Sequence, residues 1–226
     1  MALPLYALVA MQRDNGRATE AAMKYFVLGA IASGMLLYGM SMIYGATGSL
    51  NIGTIATRVA SANHVHQLTL IYGLVFLIAG IAFKFGAAPF HMWVPDVYDG
   101  APTSVTMLVG SAPKIAAFVL AVRLLIQMLS SLHAQWSPLF VFLTLFSIGL
   151  GNVLAIAQTN FKRLLAYSGI ANMGYMALGF LPGTAQGEAG ALFYVITYAL
   201  SVTAALAILI ILSRKGVECE KISDLK

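Results

Sequence analysis

Two lysines interrupt stretches that are otherwise apolar enough to cross a bilayer. Lys84 closes the run TLIYGLVFLIAGIAFK at residues 69–84, and Lys114 lies inside APTSVTMLVGSAPKIAAFVLAV at residues 101–122. An ammonium at bilayer depth costs roughly 2.5–3.5 kcal/mol on insertion scales. A group kept at that cost is by default a candidate for an ion or proton pathway. Such a pathway wants an amine that can be charged or neutral, and burial provides this by disfavouring the charged form. The competing reading is snorkelling, with the stem buried and the head reaching an interface. It suits Lys84 at a helix end better than Lys114 in the middle of one.

Other polar residues carry weaker signals. His91 follows Lys84 by seven residues. It can relay protons, but Pro89 intervenes, and a structural histidine accounts for it equally well. Asp96 and Asp99, in WVPDVYDGAPT, can guide protons to a cytoplasmic mouth or cap helix starts; capping is the favoured reading. Glu20 and Lys24 stand four apart at a helix start and are expected to pair. His64 and His66 have no further ligands nearby and read as surface histidines, so no metal site is expected. Cys219 has no second cysteine and reads as a free thiol. The glycines in LGAIASGMLLYG suit close helix packing. They do not make a nucleotide loop, because no strand precedes them and no P-loop lysine follows. No site for NAD, flavin or an iron–sulfur cluster is read in the chain.

The elements that must position these residues follow from composition and periodicity. The chain is 60% hydrophobic and 9% charged, against about 25% charged residues in a soluble domain. Long continuous apolar runs exclude a β-barrel, which would alternate. The fold class is therefore an all-α polytopic membrane protein, read as a single transmembrane domain over residues 1–226. One partial segment (2–11) and six full ones are expected, at 22–44, 68–98, 103–128, 137–157, 162–181 and 189–212. No cleavable signal peptide is evident at the start, and both ends read as cut from something longer. The net charge of +5 is spread over short loops, which does not suggest nucleic acid. Instead it reports orientation. Alternate connections put Arg13, Arg17, Lys24, Lys162, Arg163, Arg214, Lys215, Lys221 and Lys226 on one face, against Arg58 and Arg123 on the other. Positive residues collect on the cytoplasmic side. The 12–20 loop, the 158–163 loop and the tail are expected there.

The 68–98 segment is too long for one span. From Leu68 to Val97 a single helix would run about 45 Å, beyond a hydrocarbon core of ~30 Å. It contains Gly86, Pro89 and Pro95, and proline removes an amide donor and breaks the ladder. A discontinuous helix broken near 86–89 is predicted. Unwound backbone at such depth needs protein or a water-filled cavity around it. Lys84 would then lie beside the break near mid-membrane, with Lys114 at similar depth on the next helix.

Four stretches together resemble a known family: LPLYALVA, EAAMKYFVLGAIASGMLLYGMSMIYGATGSLNI, FKFGAAPFHMWVPDVYDGAPTSVTMLVGSAPKIAAF and FKRLLAYSGIANMGYMALG. They look like the antiporter-like membrane subunits of respiratory complex I, in the branch called subunit N. The resemblance covers essentially the whole chain. It implies a fold of fourteen helices in two inverted repeats with broken helices, of which this chain would cover the end of the fifth through the eleventh. On that scheme Lys84 matches the lysine at the break of the seventh helix, and Lys114 the connecting lysine of the eighth. The family's glutamate partner on the fifth helix would precede LPLYAL, and its ionisable residue on the twelfth would follow Lys226. The implied function is proton translocation in an NADH:quinone oxidoreductase of the bacterial inner membrane. The implied partners are the other membrane subunits and the bilayer. NADH, flavin, iron–sulfur clusters and quinone would belong to other subunits. An Mrp-type cation/proton antiporter subunit and a membrane-bound hydrogenase subunit are the alternatives within the same fold.

Overall fold

Asn15 opens the first long helix, its side chain accepting a hydrogen bond from the Arg17 amide at 3.0 Å. This is the usual way to satisfy a free N-terminal donor. In the computed structural model, which describes residues 2–12, 14–62, 64–213 and 221–225, the chain then alternates helix and short connection. The helices are α1 (Ala2–Val9), α2 (Gly16–Thr47), α3 (Ile52–Ala60), α4 (His64–Phe85), α5 (Trp93–Gly100), α6 (Thr103–Gly110), α7 (Ala112–Ala121), α8 (His133–Ile156), α9 (Phe161–Leu178) and α10 (Ala185–Leu212). Arg13, Arg214, Lys215, Cys219 and Lys226, and the side chain of His64, lie outside the described residues.

The all-helical membrane architecture read from composition is what the chain adopts. Among the described residues, five spans are long and apolar enough to cross a bilayer: Gly16–Thr47, His66–Phe85, Thr103–Met128, Ser130–Ile156 and Ala185–Leu212. The sixth expected span, α9, is helical for 18 residues. It falls short in hydropathy because Lys162, Arg163, Ser168 and Asn172 stand within it. Large side chains such as Leu145, Phe193 and Leu200 are exposed on the outside of the bundle. An apolar outer surface on this scale is foreign to a soluble monomer and suits lipid.

Two elements differ from expectation. The connection over 45–67 is not a plain loop, since α3 forms within it, capped by Asn51 accepting from the Thr54 amide at 3.1 Å. α3 buries Ile55 and Val59, and Arg58 donates to the Thr47 carbonyl at the end of α2. The span over 103–128 is not one continuous helix either. It breaks at Ser111, where φ is −115° and ψ −81°, between α6 and α7, and it ends in a π-helical stretch over Val122–Met128. Pro113 explains the first departure. A proline lacks the amide that would continue the ladder and disfavours helical conformation before it.

The seam between α2 and α4 is built on small residues, as the glycine spacing predicts. A Cβ at Gly39 would lie 2.6 Å from the Gly73 carbonyl oxygen, and one at Gly80 would lie 2.8 Å from the Leu36 Cβ. Side chains there would force the helices apart. The close approach lets dispersion act between backbones, the main source of helix association where no water is displaced. Two apolar clusters result. One gathers α2, α3, α4, α7, α8, α9 and α10 around Leu77, Ile81, Phe140 and Met173. The other gathers α1, α2, α4, α5, α6 and α9 around Tyr25, Trp93, Val97 and Tyr98. Phe90, in the connection between α4 and α5, packs against both.

Candidate functional site

The predicted break is present and begins one residue after α4 ends. Gly86 turns the chain with φ +68°, a conformation that costs other L-residues roughly 1–2 kcal/mol. The backbone then runs through Ala87, the cis Ala88–Pro89 peptide and a turn to Met92 before α5 starts at Trp93. A buried helix end must dispose of its last carbonyls. Here the Ala82 carbonyl accepts from the Ala87 amide at 2.9 Å. The Phe83 carbonyl accepts from the Gly86 amide at 2.9 Å and from Trp93 Nε1 at 3.1 Å. The Ala88 amide donates to Ser147 Oγ on α8 at 2.9 Å. The Phe85 carbonyl is capped by the Lys114 amine, which donates to it across 29 residues of sequence.

Lys114 is thus a side-chain cap on a broken helix. Its side chain is 1% exposed, and its Nζ lies 5.8 Å from the centroid of the Trp93 ring. Both neighbours favour a cation: the carbonyl end of α4 carries partial negative charge, and the ring face attracts an ammonium. Space for the amine depends on Gly86, where a Cβ would lie 3.2 Å from Lys114 Nζ and 2.6 Å from Val94 Cγ2. Trp93 is held in turn, stacked on Tyr25 at 4.6 Å and tilted on Phe83 at 5.4 Å. Snorkelling does not describe Lys114.

Lys84 is the penultimate residue of α4. It is half-buried and lines a cavity of about 610 Å³ with Tyr6, Tyr25, Ser33, Trp93 and Pro113. Among the described residues its amine has neither a hydrogen bond nor an ion pair. The fold therefore brings both amines to one helix end: Lys84 faces the cavity, and Lys114 binds the carbonyl of the next residue. His91 stands in the turn of the break, half-buried, with Nδ1 enclosed and without a hydrogen-bond partner. The helical register that would align it with Lys84 is lost at Gly86.

Asp96 and Asp99 do not cap helices. The positions preceding α5 and α6 are Met92 and Pro102, and neither makes a side-chain cap. Both aspartates lie within α5 and face other helices. Lys24 of α2 meets Asp96 at 2.8 Å and also its expected partner Glu20 at 2.8 Å. Arg163 of α9 reaches Asp96 at 3.5 Å and Asp99 at 3.7 Å, and Asn160 Nδ2 donates to Asp99 at 2.7 Å. Charge pairing displaces capping because three helices present complementary groups at this end. The cluster pins α5, the eight-residue helix between the break and the turn into α6.

One lysine at a span end is more deeply buried than its place in the sequence suggests. Lys162 reads as a basic end of a span, yet it is 1% exposed and its Nζ donates to the Ala101 carbonyl at 3.0 Å. Ala101 lies between α5 and α6, so Lys162 joins another helix junction much as Lys114 joins the first. Its phase was a usable signal, since Lys162 falls on the buried stripe Ala166, Ile170, Met173 and Ala177 of α9.

The relatives agree with this architecture. The transmembrane family model of NADH:quinone oxidoreductases and Mrp antiporters matches residues 1–226. The NADH-quinone oxidoreductase subunit N of Coxiella burnetii is 56% identical over 225 residues, covering 99% of this chain and 46% of its own length. The chain thus spans about half the length of such relatives. Among solved structures, a chain of respiratory complex I from Thermus thermophilus with bound aureothin is similar at 41% identity and TM-score 0.74, over 92% of this chain and 43% of that one. A chain of the Mrp complex from Dietzia sp. shares the fold at TM-score 0.85 and 22% identity, over 96% of this chain and 40% of that one. By the full-length match of the family model and the subunit N relatives, the chain belongs to the NADH:quinone oxidoreductase/Mrp antiporter transmembrane family.

Proposed function

We propose that this chain forms the middle of a proton path in subunit N of a bacterial NADH:quinone oxidoreductase, using Lys84 and Lys114. The observation that carries the reading is the buried Lys114 amine docked on the open end of α4, beside Lys84 in its cavity. An amine in this position holds a proton on the helix-end carbonyl and releases it when a charge elsewhere makes the cation unfavourable. Lys84, open to the cavity, exchanges protons with groups or water that reach it there. His91 lies half-buried in the same turn and can assist. Asp96 and Asp99, partly exposed in the charged cluster, mark the cytoplasmic mouth. The chain performs no redox step. Reduction of quinone by NADH through flavin and iron–sulfur clusters in other subunits biases the charge of the lysines. The partners are the other membrane subunits and the bilayer.

A cation/proton antiporter subunit is the second reading within the fold. A sodium path wants carboxylates or unwound carbonyls at the ion. At this break the Phe85 carbonyl is already taken by the Lys114 amine, which favours protons.

The test uses full-length subunit N carrying this segment, in its assembled complex in membrane vesicles. Lys84→Arg and Lys114→Gln should each lose most redox-driven proton pumping while the complex assembles. Arginine stays protonated in proteins and cannot pass its proton on, and an amide carries none. Full pumping in both assembled variants would overturn the proposal.

A further inference from the structure

A second polar cluster lies outside the lysine site. Tyr98 of α5 and Tyr198 of α10 are buried, 0% and 8% exposed. Their hydroxyls face one another where α5, α6, α9 and α10 meet, and neither has a hydrogen-bond partner outside the pair. Two glycines make the room. A Cβ at Gly110 would lie 2.7 Å from the Tyr98 hydroxyl, and one at Gly169 would lie 2.6 Å from the Tyr198 hydroxyl and 3.9 Å from that of Tyr98.

The pair joins two polar places. Gly110 ends α6, directly before the break at Ser111 and four residues before Lys114. On the other side, Tyr198 lines a groove of about 540 Å³ between α9 and α10. That groove also carries Ser168, Asn172, Tyr194, Thr197 and Ser201, with Tyr194 donating to Asn172 Oδ1 at 2.7 Å. Hydroxyl and amide groups on one wall, reached by a buried phenol, are more than apolar packing needs. A phenol both donates and accepts, so each of the two can take either role in turn.

We propose that Tyr98 and Tyr198 form a hydroxyl relay carrying protons between the Ser111–Lys114 break and the α9–α10 groove. The relay extends the proton path proposed above and rests on it. In each passage an incoming proton binds a lone pair of one hydroxyl as that hydroxyl's own proton leaves for the next oxygen. Both tyrosines end neutral, and rotation of the two O–H bonds resets the pair.

Tyr98→Phe and Tyr198→Phe remove the hydroxyls and keep the rings. They are made in the full-length subunit within its assembled complex, and pumping, quinone reduction and assembly are measured together. Each single variant should lose pumping roughly tenfold or more, in line with the ~10²–10⁴-fold often lost when a positioned proton-transfer group is removed. The double variant should be no worse than the more impaired single one, because elements in series are not additive. Replacing Tyr198 by 3-fluorotyrosine, a more acidic phenol of nearly the same shape, should move the pH profile of pumping to lower pH. A purely structural tyrosine would leave that profile where it is. Normal pumping in an assembled Phe variant overturns the relay. If the Phe variants fail to assemble, an unmoved profile with 3-fluorotyrosine overturns it instead. Lys114→Gln in the same background separates the two proposals: normal pumping there sinks the whole path, whereas its loss beside normal Phe variants sinks only the relay.

Discussion

The Lys114 amine satisfies the Phe85 carbonyl and, in the proposed path, also holds a mobile proton; the two duties are separable. Lys114→Ala removes both and leaves a buried carbonyl unpaired at a cost of about 1–3 kcal/mol. Lys114→Gln keeps an N–H donor one atom closer to the backbone. The assembled complex should therefore be clearly less heat-stable with Ala than with Gln, while both fail to pump; equal stabilities would mean that the cap contributes little. Gly86 is the complementary case. Alanine there meets a φ of +68° and places its Cβ 2.6 Å from Val94 Cγ2 and 3.2 Å from the Lys114 amine. Gly86→Ala should destabilise by about 1–2 kcal/mol from the backbone alone, and it should push the amine off the carbonyl. The amount of assembled complex in membranes, with pumping per complex, checks both effects.

Among the elements, α2 offers an internal control on how packing is achieved. Gly39 and Gly34 stand on the same helix, five residues apart. A Cβ at Gly39 would strike the α4 backbone, whereas one at Gly34 meets nothing within 4 Å. Gly39→Val should therefore destabilise by about 1–3 kcal/mol through overpacking. Gly34→Ala should be neutral or stabilise by up to about 1 kcal/mol through helix propensity. Thermal denaturation of the solubilised complex distinguishes them, and equal effects would refute the seam as a determinant of α2–α4 packing. α5 is different in kind. It is eight residues long, too short to persist alone, and is held by Trp93 at its start and the charged cluster along its length.

For the whole molecule, the uneven spread of basic residues predicts orientation. The connection holding Asp14 should face the cytoplasm, and Ser61, at the end of α3, should face the opposite compartment. With Cys219 first replaced by Ser, single cysteines at positions 14 and 61 can be tested with a membrane-impermeant thiol reagent on intact cells. Position 61 should label and position 14 should not; the reverse pattern would invert the topology. The apolar outer surface is consistent with either orientation, so only the charges decide it.

Much of this molecule could be read from the chain alone. Sustained hydropathy dictates membrane helices, because backbone groups in lipid must be satisfied within the segment. Gly86 and Pro89 dictate a break near Lys84, because they remove a donor and the usual conformation where a span is too long. Small residues on α2 dictate a close seam. Other features depend on which groups meet from distant segments. Lys114 finds the Phe85 carbonyl, Lys162 finds Ala101, and Asp96 finds Lys24 and Arg163 rather than a helix start. The two tyrosine hydroxyls meet only because Gly110 and Gly169 approach from two other helices. Periodicity tells which face of a helix is buried, but it does not tell what that face is buried against. For a polar side chain in an apolar bundle, the partner decides whether it is a cap, an ion pair or a candidate relay.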